Sequence, residues 1–327
     1  MDAKRWMAVI VFIVLCSTYF SFWAVKDTSN SLTSPWGIES GLSTDNYRDG
    51  TGGELALIRL EGTIIDAGDT YSSTGYYHAS LLEAFRQAYQ DPTIKGIILA
   101  VDSPGGGVYE CDEVYRTIRE LQQQYSKPMV VSMGNVAASA AYYISMTADE
   151  LYANRMSLTG SIGVISSYMN MAQLADNLGI EVDVYKSGAV KDMNSGWREP
   201  TPEERSINQG LIDEYYGYFV DVVVEGRNME RTRVLELADG RVYTASQALD
   251  NGLIDAIGDL DAAIDRTAEL ANIKNPTVRE YHYVNNLWGW NYFSWMQGDW
   301  KTQRLQEFLF KELSTPRPLY LYSQGAM

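Results

Sequence analysis

Two cysteines and two histidines in 327 residues leave little room for several kinds of chemistry. Cys16 sits inside an apolar run and Cys111 stands alone in the body, so no internal disulfide framework can be built. His78 and His282 have no metal-ligand spacing such as HExxH, which argues against a catalytic zinc, and no cofactor motif is present. Basic runs longer than a pair are also missing. With 26 basic against 42 acidic side chains and a net charge of -16, binding to nucleic acid through its phosphates is excluded. The charge reads as a solubilising surface rather than an acidic face for cationic partners. After residue 26 there is no second long apolar run. What remains, 46% hydrophobic and 21% charged, is the composition of a folded body: one catalytic domain with appendages.

The one long apolar run lies near the start. Lys4 and Arg5 precede Trp6 to Val25, a stretch with no charged side chain, followed by Lys26 and Asp27. Its length suits a single transmembrane helix, and the leading positive charge favours a cytoplasmic amino terminus with the catalytic domain on the outer face of the cell membrane. A cleaved signal peptide is the main rival, but the run exceeds the usual core and no Ala-x-Ala site follows. A lipoprotein junction at Cys16 fits poorly, since more apolar residues follow it. Residues 27–53 are rich in Ser, Thr, Gly, Asn and Asp and read as a linker.

From residue 54 the pattern alternates. Residues 54–60, 94–102 and 128–133 read as strands, the last two as buried parallel ones. Residues 81–89 and 108–125 have helical spacing. Further on, 137–146, 172–178 and 202–225 read as helices, and 150–153, 163–165 and 182–185 as short strands. Residues 235–243, 245–251 and 260–270 complete a layered α/β body with mainly parallel strands, and no internal repeat is visible. The body is read as residues 54–275. Residues 276–327 form an aromatic-rich tail with Trp288, Trp290, Trp295 and Trp300, suited to packing on the body, joining subunits or lying on a bilayer.

Three loops could carry chemistry. Ser139 lies among small residues where a strand gives way to a helix, and a helix start offers unpaired N–H groups to an oxyanion. The Ser-Pro-Gly-Gly-Gly run at 103–107 ends another buried strand, and consecutive glycines let backbone N–H groups face a cleft. A serine needs a base, and a lysine serves if desolvation brings its pKa from about 10.4 toward 7. Lys186 and Lys191 both lie in a Gly-containing loop after a strand-like segment, and spacing alone does not choose between them.

Taken in order, Asp102 with the glycine run, Ser139 with Tyr142 and Tyr143, Thr159-Gly-Ser-Ile-Gly-Val, Lys186-Ser-Gly-x-x-Lys191-Asp and the 241–255 segment resemble the signal peptide peptidase A family. The closing Pro-Leu-Tyr-Leu-Tyr at 318–322 is similar to tails in that family. The resemblance implies a Clp-protease/crotonase-like fold preceded by one transmembrane helix. It implies Ser139 as nucleophile, Lys191 as general base, Ser161 as the residue orienting the lysine, and the N–H groups of Gly106 and Ala140 as the oxyanion hole. It also implies peptide substrates, signal peptides above all, and a homo-oligomeric ring whose active sites need neighbouring subunits. One departure stands out: Ala140 and Ala141 replace the Gly-Gly common after the nucleophile. That change keeps a second reading open, a non-catalytic peptide-binding or regulatory assembly on the same fold. Acyl-CoA chemistry on the related fold gives no reason for a membrane anchor.

Overall fold

The computed structural model describes residues 40–66, 75–285 and 319–321. Chain contacts separate two units. Residues 44–282 and 319–321 belong to the larger; of the smaller, only 40–43 and 283–285 are described.

The larger unit is built on a nine-stranded sheet. Its central strands are β2 (Glu54–Glu61), β3 (Ile94–Ser103) and β5 (Met129–Ala138), all parallel. Strand β3 is apolar on both faces and almost wholly buried, which suits a parallel strand covered on both sides. Strand β6 (Glu150–Ala153) pairs with the first half of β5, and β9 (Ala256–Ile257) with β6. On the far side β10 (Thr277–Asn285) runs parallel to β2, with β1 (Ser40–Arg48) beyond it. The second half of β5 leaves β6 and pairs instead with β7 (Leu158–Gly160), which carries β8 (Val242–Thr244). Outside this sheet, β4 (Gly105–Gly107) pairs with β11 (Leu319–Leu321).

Helices cover the sheet. Helix α1 (His78–Gln90) packs on β2 and β3, and α2 (Val108–Gln124) packs on α1 and on α3 (Ala140–Ser145). On β3 and β5 lies α8 (Leu260–Leu270), whose Ala263, Ile264 and Ala268 meet Leu55, Leu57, Ile98, Val130 and Val278 in one core cluster. Between them in sequence come α4 (Ala172–Leu178), α5 (Pro202–Arg227), α6 (Arg231–Leu237) and α7 (Ala245–Asp250).

The sheet is mixed, its pairs mainly parallel with β8 antiparallel to β7. One expectation is corrected. No helix among the described residues is long and apolar enough to cross a membrane; the longest, α5, carries Glu203, Glu204, Asp213, Asp221 and Glu225 along its length. The expectation of a single-pass membrane protein, with the membrane as partner and its catalytic domain on the outer face, is corrected accordingly. The run Trp6 to Val25 that carried it lies outside the described residues, as do the tail tryptophans.

Candidate active site

The site forms where β5 ends. Residues 136–138 pair with β7, so the chain leaves the strand beside Gly160, and Ser139 N–H donates to the Gly160 carbonyl at 2.8 Å. Ser139 turns there with φ 56° and ψ -118°, a conformation that L residues rarely adopt. Helix α3 starts at once, and the Tyr143 N–H donates to the Ser139 carbonyl at 2.9 Å. The serine is 1% exposed, and its Oγ is the one buried side-chain N or O atom with no hydrogen-bond partner among the described residues. Natural proteins seldom leave a buried hydroxyl unpaired without a reason.

The glycine run lies beside it. Gly105 has φ 101°, and a Cβ there would fall 2.9 Å from Ala140 N and 2.2 Å from the Tyr320 carbonyl oxygen, so only glycine fits. Strand β4 is held on one side by Ile64, whose N–H donates to the Gly105 carbonyl at 2.9 Å and whose carbonyl accepts from Gly107 N–H at 2.7 Å. Because strand groups alternate, the Gly106 N–H faces the opposite side, where Tyr320 of β11 is its register partner. A second bridge joins Leu319 to Ile165, so the β11 backbone runs between the glycine strand and residue 165. Tyr320 is buried against Tyr143 and Phe219, with ring centroids at 5.4 and 4.8 Å, and its hydroxyl donates to the Tyr215 carbonyl at 2.7 Å.

Ala140 and Ala141 are fully buried. The Cys111 thiol donates to the Ala140 carbonyl at 3.3 Å, and burial pushes that thiol's pKa well up, so it stays protonated. Ser161 follows β7 directly, with φ 51°, and donates its N–H to the Arg241 carbonyl at 2.8 Å. It also lines a cavity of about 520 Å³ together with Ile165, Asp213, Tyr216, Asp239 and Leu321. Gly106, Ser139, Ala140 and Ser161 thus converge on one region.

Lys191 does not join them within this chain. It lies exposed in a turn, and its amine makes no hydrogen bond or ion pair among the described residues. Lys186 differs: its Nζ donates to Asp192 Oδ1 at 2.6 Å and to the Ala189 carbonyl at 2.8 Å. Of the two lysines, Lys186 is thus engaged by the side chain of Asp192, and Lys191 carries no such contact among the described residues. Sequence reasoning overlooked Arg198, which ties Asp192 to Glu204. The visible signal was Thr201-Pro-Glu-Glu204, a capping-box pattern that fixes where α5 starts.

Residues 121–274 match peptidase family S49. Over 98% of its length the chain is 33% identical to a candidate signal peptide peptidase SppA of Enterococcus faecium, covering 99% of that protein. A candidate protease of Synechocystis is 42% identical over 69% of this chain and 78% of its own. The chloroplastic serine protease SPPA of Arabidopsis thaliana is 33% identical over 68% of this chain and 33% of its own.

Proposed function

The chain belongs to peptidase family S49, the family of SppA-like signal peptide peptidases, and from that premise we propose that Ser139 is its nucleophile and Lys191 its general base. It is a serine peptidase, a hydrolase of peptide bonds. The observation that carries the residue assignment is the buried, unpartnered Oγ of Ser139 on a strained turn beside a glycine strand.

In this reading Ser139 Oγ attacks the scissile carbonyl while the neutral Lys191 amine takes its proton. The N–H groups of Gly106 and Ala140 receive the developing oxyanion, and Ser161 aims the amine. The lysine then gives its proton to the leaving amine, which departs and leaves an acyl-enzyme. Water, deprotonated by the same amine, releases the acid.

Substrate binds as an extended strand on β4, in the position that β11 takes in this chain. The residues seated there are two leucines flanking Tyr320, whose ring packs on Tyr143 and Phe219, which supports largely apolar peptides as the preferred class.

Cleavage of an apolar peptide by wild type, Ser139→Ala and Lys191→Ala tests the assignment. Both variants are expected to lose at least about a thousandfold in kcat, and retention of activity by either overturns the role of that residue. Because Lys191 is exposed and forms no bond to Ser139 within one chain, mixing the two variants adds a second answer. Regained activity assigns the pair to two adjoining copies; continued silence assigns it to one copy closing on itself.

A further inference from the structure

The turn that carries Lys191 is fastened by charge. Its own backbone bonds are few: Lys191 N–H to the Gly188 carbonyl, Met193 N–H to Val190 and Ser195 N–H to Asp192, at 3.0 to 3.2 Å. Asp192, the next residue, accepts Arg198 Nε on Oδ2 at 2.9 Å, and Arg198 Nη2 and Lys186 Nζ on Oδ1 at 2.7 and 2.6 Å. The same guanidinium grips Glu204, with Nη1 to Oε2 at 2.9 Å and Nη2 to Oε1. Glu204 has a side chain only 1% exposed and is itself fixed in the α5 capping box, where the Thr201 N–H donates to it at 2.8 Å. Hydrogen bonds from Arg198 and Lys186 hold the Asp192 carboxyl far below the usual carboxylate range, and Arg198 with Thr201 lowers Glu204 to about 2.

Two cations and two carboxylates make a neutral cluster, and Lys191, which precedes Asp192 in the chain, makes no hydrogen bond or ion pair through its amine among the described residues. The other charges nearby are Glu199 and Arg205, paired at 3.7 Å, Glu203 in the first turn of α5, and Glu181 and Asp183 on the exposed approach to Lys186.

Building on Lys191 as the base, we propose that Arg198 is a positioning residue of the peptidase reaction. It ties the Lys191 turn to the start of α5 and, with Lys186, cancels the charge of Asp192, the residue that follows Lys191 in that turn. A two-pronged guanidinium does both tasks at once, which an ammonium cannot. The sign follows from electrostatics. A bare carboxylate beside an amine favours the ammonium and so raises the pH needed to free the base; unpaired cations do the reverse.

The test is the pH dependence of kcat/KM for an apolar peptide, using the full chain. Arg198→Gln and Lys186→Gln are expected to move the acid limb upward by about one unit; at high pH Lys186→Gln recovers wild-type activity, whereas Arg198→Gln, which also loses the fork, levels off severalfold lower. Asp192→Asn is expected to move it downward. Arg198→Lys keeps the charge but loses the fork, so its limb stays near wild type while kcat falls severalfold. Residues acting only on folding would lower kcat at every pH with the limb fixed, and that result, or shifts of one common sign, overturns the proposal. If Arg198→Gln fails to fold, Lys186→Gln and Asp192→Asn leave the Arg198–Glu204 fork intact and carry the same opposite signs. Failure of the underlying reading is separate: Lys191→Ala would then retain activity whatever the limbs do.

Discussion

At the scale of single residues, the site stores strain where it places its nucleophile. A non-glycine residue in the Ser139 conformation costs about 1–3 kcal/mol, and it persists because the Gly160 carbonyl and the first turn of α3 hold it from both sides. Ser139→Gly and Ser139→Ala should both lose activity, and Gly should be the more stable of the two by about 1 kcal/mol in urea unfolding, because it alone relieves the strained backbone. Gly105 is the mirror case. Gly105→Ala puts a methyl against the Tyr320 carbonyl and Ala140 N, and should destabilise the chain by more than about 1 kcal/mol and depress kcat. Paired urea titration and peptide assays read both.

At the scale of elements, α5 connects fold to chemistry because its first turn anchors the Lys191 loop. Thr201→Ala removes the cap and should cost about 1 kcal/mol in urea unfolding. Glu204 has a lowered folded pKa, through Arg198 first and Thr201 next. Its stabilisation is thus present above the unfolded value of about 4.3 and lost as pH falls toward 2. Glu204→Gln should flatten that part of an acid unfolding curve.

The same elements show what the sequence could reveal. Helices with a plain apolar stripe, such as α1, α2, α4 and α8, were legible from spacing, and so were the buried runs of β2, β3 and β6. Residues 137–146 looked wholly helical, but β5 runs to Ala138, since alanines tolerate either state and pairing with β7 decides. Residues 182–185 alternate like a strand yet are exposed and pair with no strand among the described residues. Strand β10 was missed because its Arg279, Glu280 and His282 break the apolar pattern; Arg279 bonds Glu54 and Asp91, Glu280 bonds Arg59, and His282 bonds Asp45. Ser139, Gly106, Ala140 and Ser161, named from the family resemblance, lie close together, while the exposed setting of Lys191 has no local signature in the sequence.

At the scale of the whole molecule, segments far apart in the chain meet at the site, with β11 completing a strand pair that starts at Gly105. Release of β11 requires lifting Tyr320 from between Tyr143 and Phe219. Tyr320→Ala should cost about 3–5 kcal/mol by analogy with other buried aromatics, read as a lower melting temperature. A chain ending at Arg317 should melt lower too, yet cleave short apolar peptides with higher kcat/KM at 20 °C, because the strand they need is vacant.

On the proposed mode of substrate binding, that seating of Tyr320 makes the protein its own competitor. An inhibitor aimed at the glycine strand must wait for the open form, so its apparent dissociation constant is the intrinsic one divided by the fraction of molecules open. Mild warming or a little urea, enough to loosen the latch but not the sheet, should then speed hydrolysis before heat or denaturant abolishes it.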